Sequence, residues 1–128
     1  MSLGCADGWV YFEHTGKCYK SFSSWKTWSS ARSSCRASTN GDLASVPDQE
    51  TNDFLAGLTS FRAWIGGYRN ENNEWSWTDQ TPWSYESWSW GNPNDFAMSQ
   101  NALQINYQRK GLWNDDMGWR VMGYICQY

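Results

Sequence analysis

Apolar and polar positions along this chain change their period several times, and each change marks an element. In GWVYFEHTGKCYKSF (8–22), β-branched and aromatic residues stand on both sides of Thr15-Gly16, which predicts a hairpin. TWSSARSSCRAS (27–38) switches to helical spacing. Trp28, Ala31 and Cys35 share one face, and Asn40-Gly41 ends the element as a turn. LASV (43–46) predicts a short strand. Pro47-Asp48 opens a second helix over 48–58, with Asp48 as N-cap, Glu50 at the positive end of the dipole, and Phe54, Leu55 and Leu58 as the apolar face. AWIGG (63–67) predicts a buried strand. Between residues 68 and 101 only Trp75 and Trp77 alternate with polar neighbours; the rest reads as a long loop, and a loop of that length in a small domain is usually functional. ALQINYQ, GLWNDD and VMGYICQY close the chain as three strands with a turn at Gly111. Strand, helix, strand, helix and then a strand meander is an α+β order.

Composition narrows the function classes. The 128 residues fit one domain, over 5–128, with MSLG (1–4) reading as a tag remnant on a mature domain whose export signal has been removed. A net charge of −3 with scattered Lys and Arg argues against a nucleic-acid partner. No apolar run is long enough for a membrane span. Eleven tryptophans in a chain only 18% charged point instead to aromatic packing or aromatic recognition.

The candidate chemistry is sparse. His14, the one histidine, lies beside the hairpin turn and reads as a solvated surface residue, so neither a zinc site nor a Ser-His-Asp arrangement is expected. Asp115 and Asp116 are adjacent, point to opposite faces of a strand, and do not form a glycosidase pair. No enzyme is expected. The four cysteines, Cys5, Cys18, Cys35 and Cys126, contain no C-x-x-C pair. They predict two disulfides in an oxidising, extracellular compartment. Three connectivities are open. Cys5–Cys18 with Cys35–Cys126 is favoured, the first closing a hairpin and the second tying a helix to the last strand, worth roughly 3 and 4–5 kcal/mol in the chain-entropy model.

Several short motifs fall in one order: Trp28, Ala31 and Cys35, then GDLASV (41–46), WIGG (64–67), WSWTD (75–79), WND (113–115) and YIC (124–126). Together they resemble the C-type lectin-like domain family over essentially the whole chain. The resemblance implies a double-loop α+β domain with two helices on small antiparallel sheets and a long ligand-binding loop. It also implies a second disulfide, whose positions here hold Ala102 and Gly118; Trp113 and Trp119 are the expected packing replacement.

For sugar binding the resemblance implies calcium, held by Asn92 and Asn94 around a cis Pro93, by Gln100, and by Asn114 and Asp115, with Asp95 as an auxiliary. Relatives place glutamates where Asn92 and Gln100 stand, so Asp115 is the one carboxylate kept. Calcium takes 6–8 oxygens, and charge count tunes its affinity, so this loss weakens a site already in the range of about 10⁻⁴–10⁻³ M by on the order of tenfold or more. Outside the core pattern, Trp83 and Trp90 lie in the long loop with two readings open: an indole there suits the apolar face of a pyranose, or the two rings fold back over the loop and stiffen it. The expected function is therefore a secreted carbohydrate-binding lectin module with a degraded calcium site, its partner a glycan or glycoconjugate. The alternative is a calcium-independent module that binds a protein or other surface through the aromatic loop.

Overall fold

The computed structural model describes residues 4–95 and 101–128. Its strands are β1 (Val10–Phe12), β2 (Lys17–Lys26), β3 (Asp42–Leu43), β4 (Ala63–Arg69), β5 (Trp75–Trp77), β6 (Ala102–Ile105), β7 (Trp113–Asp116) and β8 (Met122–Gln127), with helices α1 (Trp28–Thr39) and α2 (Gln49–Ala56). The order along the sheet is β1-β2-β8-β4-β6-β7, with β3 on β8 and β5 on β4. The expected terminal meander is only partly formed. β6 and β7 pair antiparallel, but β8 leaves them to lie between β2 and β4, parallel to β4. ALQINYQ stops being a strand at Ile105, because Asn106 and Gln108 take left-handed backbone conformations in a turn.

Both helices are capped as their sequences require. The Thr27 hydroxyl accepts from the Ser30 N–H, and Asn40, at φ 62°, closes α1. Asp48 Oδ1 accepts from the Thr51 N–H at 2.9 Å. The same Asp48 receives His14 Nε2 at 2.8 Å through Oδ2, with Glu50 3.4 Å from the ring's other nitrogen. His14 is therefore not simply solvated: the Asp48 hydrogen bond raises its pKa, and it clips the hairpin to the start of α2.

Close approach explains the glycine pair in WIGG. A Cβ on Gly66 would meet the Thr78 hydroxyl at 2.8 Å and the Leu43 carbonyl at 2.9 Å, and one on Gly67 would strike Leu103 at 2.4 Å. Trp64, Trp77, Trp113, Leu43, Leu55, Ile65, Leu103 and Ile125 fill the interior. Trp9 is also buried, against Phe22 and Tyr128, whereas Trp25 is exposed.

The disulfides are Cys5–Cys18 and Cys35–Cys126, and the chain holds no free cysteine. Beside Cys126, the Asp79 carboxylate accepts from Ser45 Oγ at 2.6 Å, Gln127 Nε2 at 2.7 Å and the Thr81 N–H at 3.0 Å. Burial pushes this carboxyl up, but the hydrogen bonds outweigh it and hold the pKa at about 2.

Candidate functional site

The site is built on β7, where side chains alternate between faces. Leu103 pairs with Asp115 and Gln104 with Asn114, so Trp113 and Asp115 share one face while Asn114 and Asp116 share the other. The long loop docks along this strand. The Ser89 N–H donates to the Trp113 carbonyl, and the Trp113 N–H donates to the Ser87 carbonyl. Asn92 N–H then donates back to the Ser89 carbonyl at 3.0 Å, closing a turn with Gly91 at φ 84°. A positive φ at the third turn position is the type II geometry, which needs glycine there and puts the second residue on the outer corner. That residue is Trp90, 99% exposed.

The Asn92–Pro93 peptide is cis, as the resemblance implies. Asn92 turns inward: its Nδ2 donates to Ser89 Oγ at 2.6 Å, and its buried Oδ1 has no hydrogen-bond partner. After Pro93 the backbone settles onto Asp115. The Asn94 N–H donates to Asp115 Oδ1 at 3.1 Å and the Asp95 N–H to Oδ2 at 2.7 Å. Asp115 is fully buried, and Arg69 Nη2 stands 3.6 Å from its Oδ2 and 4.0 Å from Asp95 Oδ1. The Arg69 guanidinium lies over the Trp75 ring at 4.8 Å.

On the other face of β7 lies an open cleft of about 670 Å³, whose lining includes Asn94, Asn114, Tyr107, Trp119 and Arg62. Its carboxylate, Asp116, is already occupied. Oδ2 accepts from Gln104 Nε2 at 2.7 Å, and Oδ1 accepts from the Met117 N–H at 2.7 Å and from Arg120 Nε at 2.8 Å. Arg120 in turn lies 5.0 Å over the Trp119 ring, which is 66% exposed. The cleft lining therefore sets two asparagines, Asn94 and Asn114, beside an accessible indole.

A family model for the Lectin C-type domain matches residues 24–128. The chain belongs to the C-type lectin domain family. Relatives of this C-type lectin domain include a C-type lectin of Cerberus rynchops, 33% identical over 97% of this chain and 83% of its own. The cow C-type carbohydrate-recognition domain of CD23, solved in the presence of GlcNAc2Man3 oligosaccharide, superposes with a TM-score of 0.85 at 31% identity, covering 97% of this chain and 95% of that one. A calcium-independent type II antifreeze protein superposes at 0.87 with 29% identity, over 97% and 93%. The two helices and the mixed sheet are consistent with the solved C-type lectin domains on which the chain superposes.

The donor set does not fit calcium in the way the resemblance implies. Of the side chains it names, Asn92 offers one buried, unpartnered oxygen, and Asn94 and Asn114 offer amides on the cleft side of β7. The Asp115 carboxylate lies on the opposite face. Both its oxygens are engaged by backbone N–H groups, and a guanidinium stands beside it. That guanidinium opposes a divalent cation at this carboxylate. Among the described residues no three His, Cys, Asp or Glu side chains are grouped to hold a metal ion. Gln100 lies outside the described residues.

Two aromatic expectations need correction. Trp83 is not a surface platform. Its half-buried ring stacks on Trp77 at 4.7 Å, with Trp75, Trp88 and Trp113 around it, because the loop folds its apolar side back onto the core. Trp119 does not pack beneath the loop as the substitute for the absent disulfide; it lines the cleft. Trp28 takes that place instead. A Cβ on Gly118 would stand 3.7 Å from Trp28 Cβ and 3.8 Å from Ala102 Cβ. The sequence reading missed Trp119, Tyr107 and Arg62 as cleft residues and Arg69 as the partner of Asp115. The one available signal was the position of Trp119 just beyond WND, in a stretch without apolar periodicity.

Proposed function

We propose that this C-type lectin domain is an extracellular carbohydrate-binding module that takes a sugar in the Asn94–Asn114 cleft and does not depend on bound calcium. The cleft itself carries the reading. The Asn114 amide carries both a donor and an acceptor, which suits sugar hydroxyls, and Trp119 offers a face for the apolar side of a pyranose. Trp90, on the exposed corner of the adjoining loop, supplies a second indole. Two disulfides suit an oxidising compartment. No described helix is long and apolar enough to cross a membrane. Binding rather than catalysis fits a site whose carboxylates, Asp115 and Asp116, are held in internal hydrogen bonds, and whose only histidine is on the distant hairpin.

A glycan array read in millimolar calcium and again in chelator tests this. The expected result is a set of bound glycans that is the same in both conditions and is lost in Asn114→Ala and Trp119→Ala. A blank array, or signals that vanish in chelator, would sink it. In the same buffers the melting temperature of the protein should not move with calcium, whereas a bound ion at 10 to 100 times its Kd would stabilise by about 1.4–2.7 kcal/mol.

A second reading has its own observation. Trp25 and Phe61, both largely exposed, line an apolar groove of about 310 Å³ with Phe22 and Val121. Protein binding through that face would survive Trp119→Ala and be lost in Trp25→Ser with Phe61→Ser, the opposite pattern to sugar binding in the cleft.

A further inference from the structure

The cleft carries a charge that the proposed sugar contacts do not use. Arg62 and Arg120 both line it, yet they differ in what they have to give. Arg120 is committed to Asp116 at 2.8 Å and to the Trp119 ring. Asp116, the only acidic side chain among the described residues of the cleft lining, has both oxygens filled by Gln104, the Met117 N–H and Arg120. The Arg62 side chain is exposed and has no ion pair or hydrogen bond with any other described residue. Uncompensated positive charge therefore faces the cleft, on a chain whose net charge is −3.

We infer that the cleft selects a saccharide carrying an anionic group, a carboxylate or a sulfate, which Arg62 receives while Asn114 and Trp119 hold the sugar ring. The inference rests on the carbohydrate-binding reading and adds the class of ligand. A guanidinium presents several N–H donors in a planar fork that matches carboxylate and sulfate oxygens, so one such group can take two parallel charge-assisted hydrogen bonds. A neutral sugar leaves Arg62 solvated and gains nothing from it. The contact is partly exposed, so its contribution falls as salt rises.

Titration of the intact protein with three oligosaccharides of one backbone, neutral, carboxylated and sulfated, tests this at low and high salt. The anionic forms should bind about tenfold tighter than the neutral one at low salt, as one charge-assisted contact implies, and the gap should narrow with salt. In Arg62→Gln the affinities should converge. The better anionic arm tells which group the site takes. Equal binding of all three by the unsubstituted protein overturns the inference and leaves the carbohydrate-binding reading standing. So does an anionic preference that persists in Arg62→Gln. If none of the three binds and a broad glycan array is also blank, the carbohydrate-binding reading itself has failed.

Discussion

Helix α1 is fixed to the sheet twice, by different chemistry. Near its C-terminal end Cys35 is bonded to Cys126 of β8. At its first residue, Trp28 lies against Gly118 and, across it, Ala102. Its N–H donates to the Gly118 carbonyl and its indole N–H to the Ile65 carbonyl, both at 2.9 Å. The first tie constrains the unfolded chain as well as the folded one; the second exists only once β4, β6 and the β7–β8 connection have assembled. Loop-side order therefore depends on native packing and polar contacts, the Arg69–Asp115 pair being the most buried ion pair among the described residues, while the opposite side is held covalently.

The largest effect should come from the covalent tie. Replacing Cys35 and Cys126 together by serine removes a cross-link over 91 residues of sequence and should cost about 4–5 kcal/mol in urea unfolding. A loss below about 2 kcal/mol would mean that packing already does the work of the bond. Next, Arg69→Met leaves the buried Asp115 carboxylate without its cation and should destabilise by about 3 kcal/mol, because a buried charge stripped of its partner is costly. Amide exchange in that variant should rise first at Asn94 and Asp95; uniform exchange across the sheet would contradict the local role given to Arg69.

The comparison can also be abolished by making both ties alike. The Cβ separation of 3.8 Å between positions 102 and 118 is the mean found in disulfides. Ala102→Cys with Gly118→Cys should oxidise spontaneously and add up to about 3 kcal/mol for a loop of that size. Free thiols in the refolded double variant would refute the alignment of those two positions. The smallest effect is at the covalent side. Asp79 is only 17% exposed and its folded pKa is about 2, below the ordinary 3.8. Its contribution, about 2 kcal/mol, is complete above the ordinary value and is lost as pH falls towards and through 2. Acid unfolding of Asp79→Asn should lack that component.

Much of the scaffold was legible because its signals are local. Trp28, Ala31 and Cys35 repeat at helical spacing, Asp48 precedes a helix by one residue, and the WIGG glycines mark a close approach whatever lies opposite. The site was less legible because its contacts are remote in sequence. Arg69 reads as the polar end of a strand until Asp115 is placed beside it, and Arg62 as a charge after Phe61 until the cleft opens in front of it. The tryptophans show the limit most clearly. Trp83, Trp90 and Trp119 all lie in stretches without apolar periodicity, and only Gly91 beside Trp90 hints at a turn's corner; the inward ring and the cleft ring have no such local mark. The β6–β7 hairpin was readable from its apolar residues. The insertion of β8 between β2 and β4 was not, since it depends on pairings with strands far earlier in the chain, such as Tyr19 with Gln127 and Ala63 with Gly123.

That insertion has a consequence for the timing of synthesis. The lane bordered by β2, β3 and β4 belongs to a strand that is made after all three. Cys5 and Cys18 can meet while most of the chain is still unmade, but β2, β3 and β4 emerge with a vacant lane between them, and Cys35 must wait as a thiol until β8 arrives. A nascent chain of this topology carries an open sheet and a reactive sulfur from the emergence of α1 until β8 follows, so its principal hazard is mispairing before β8 is delivered.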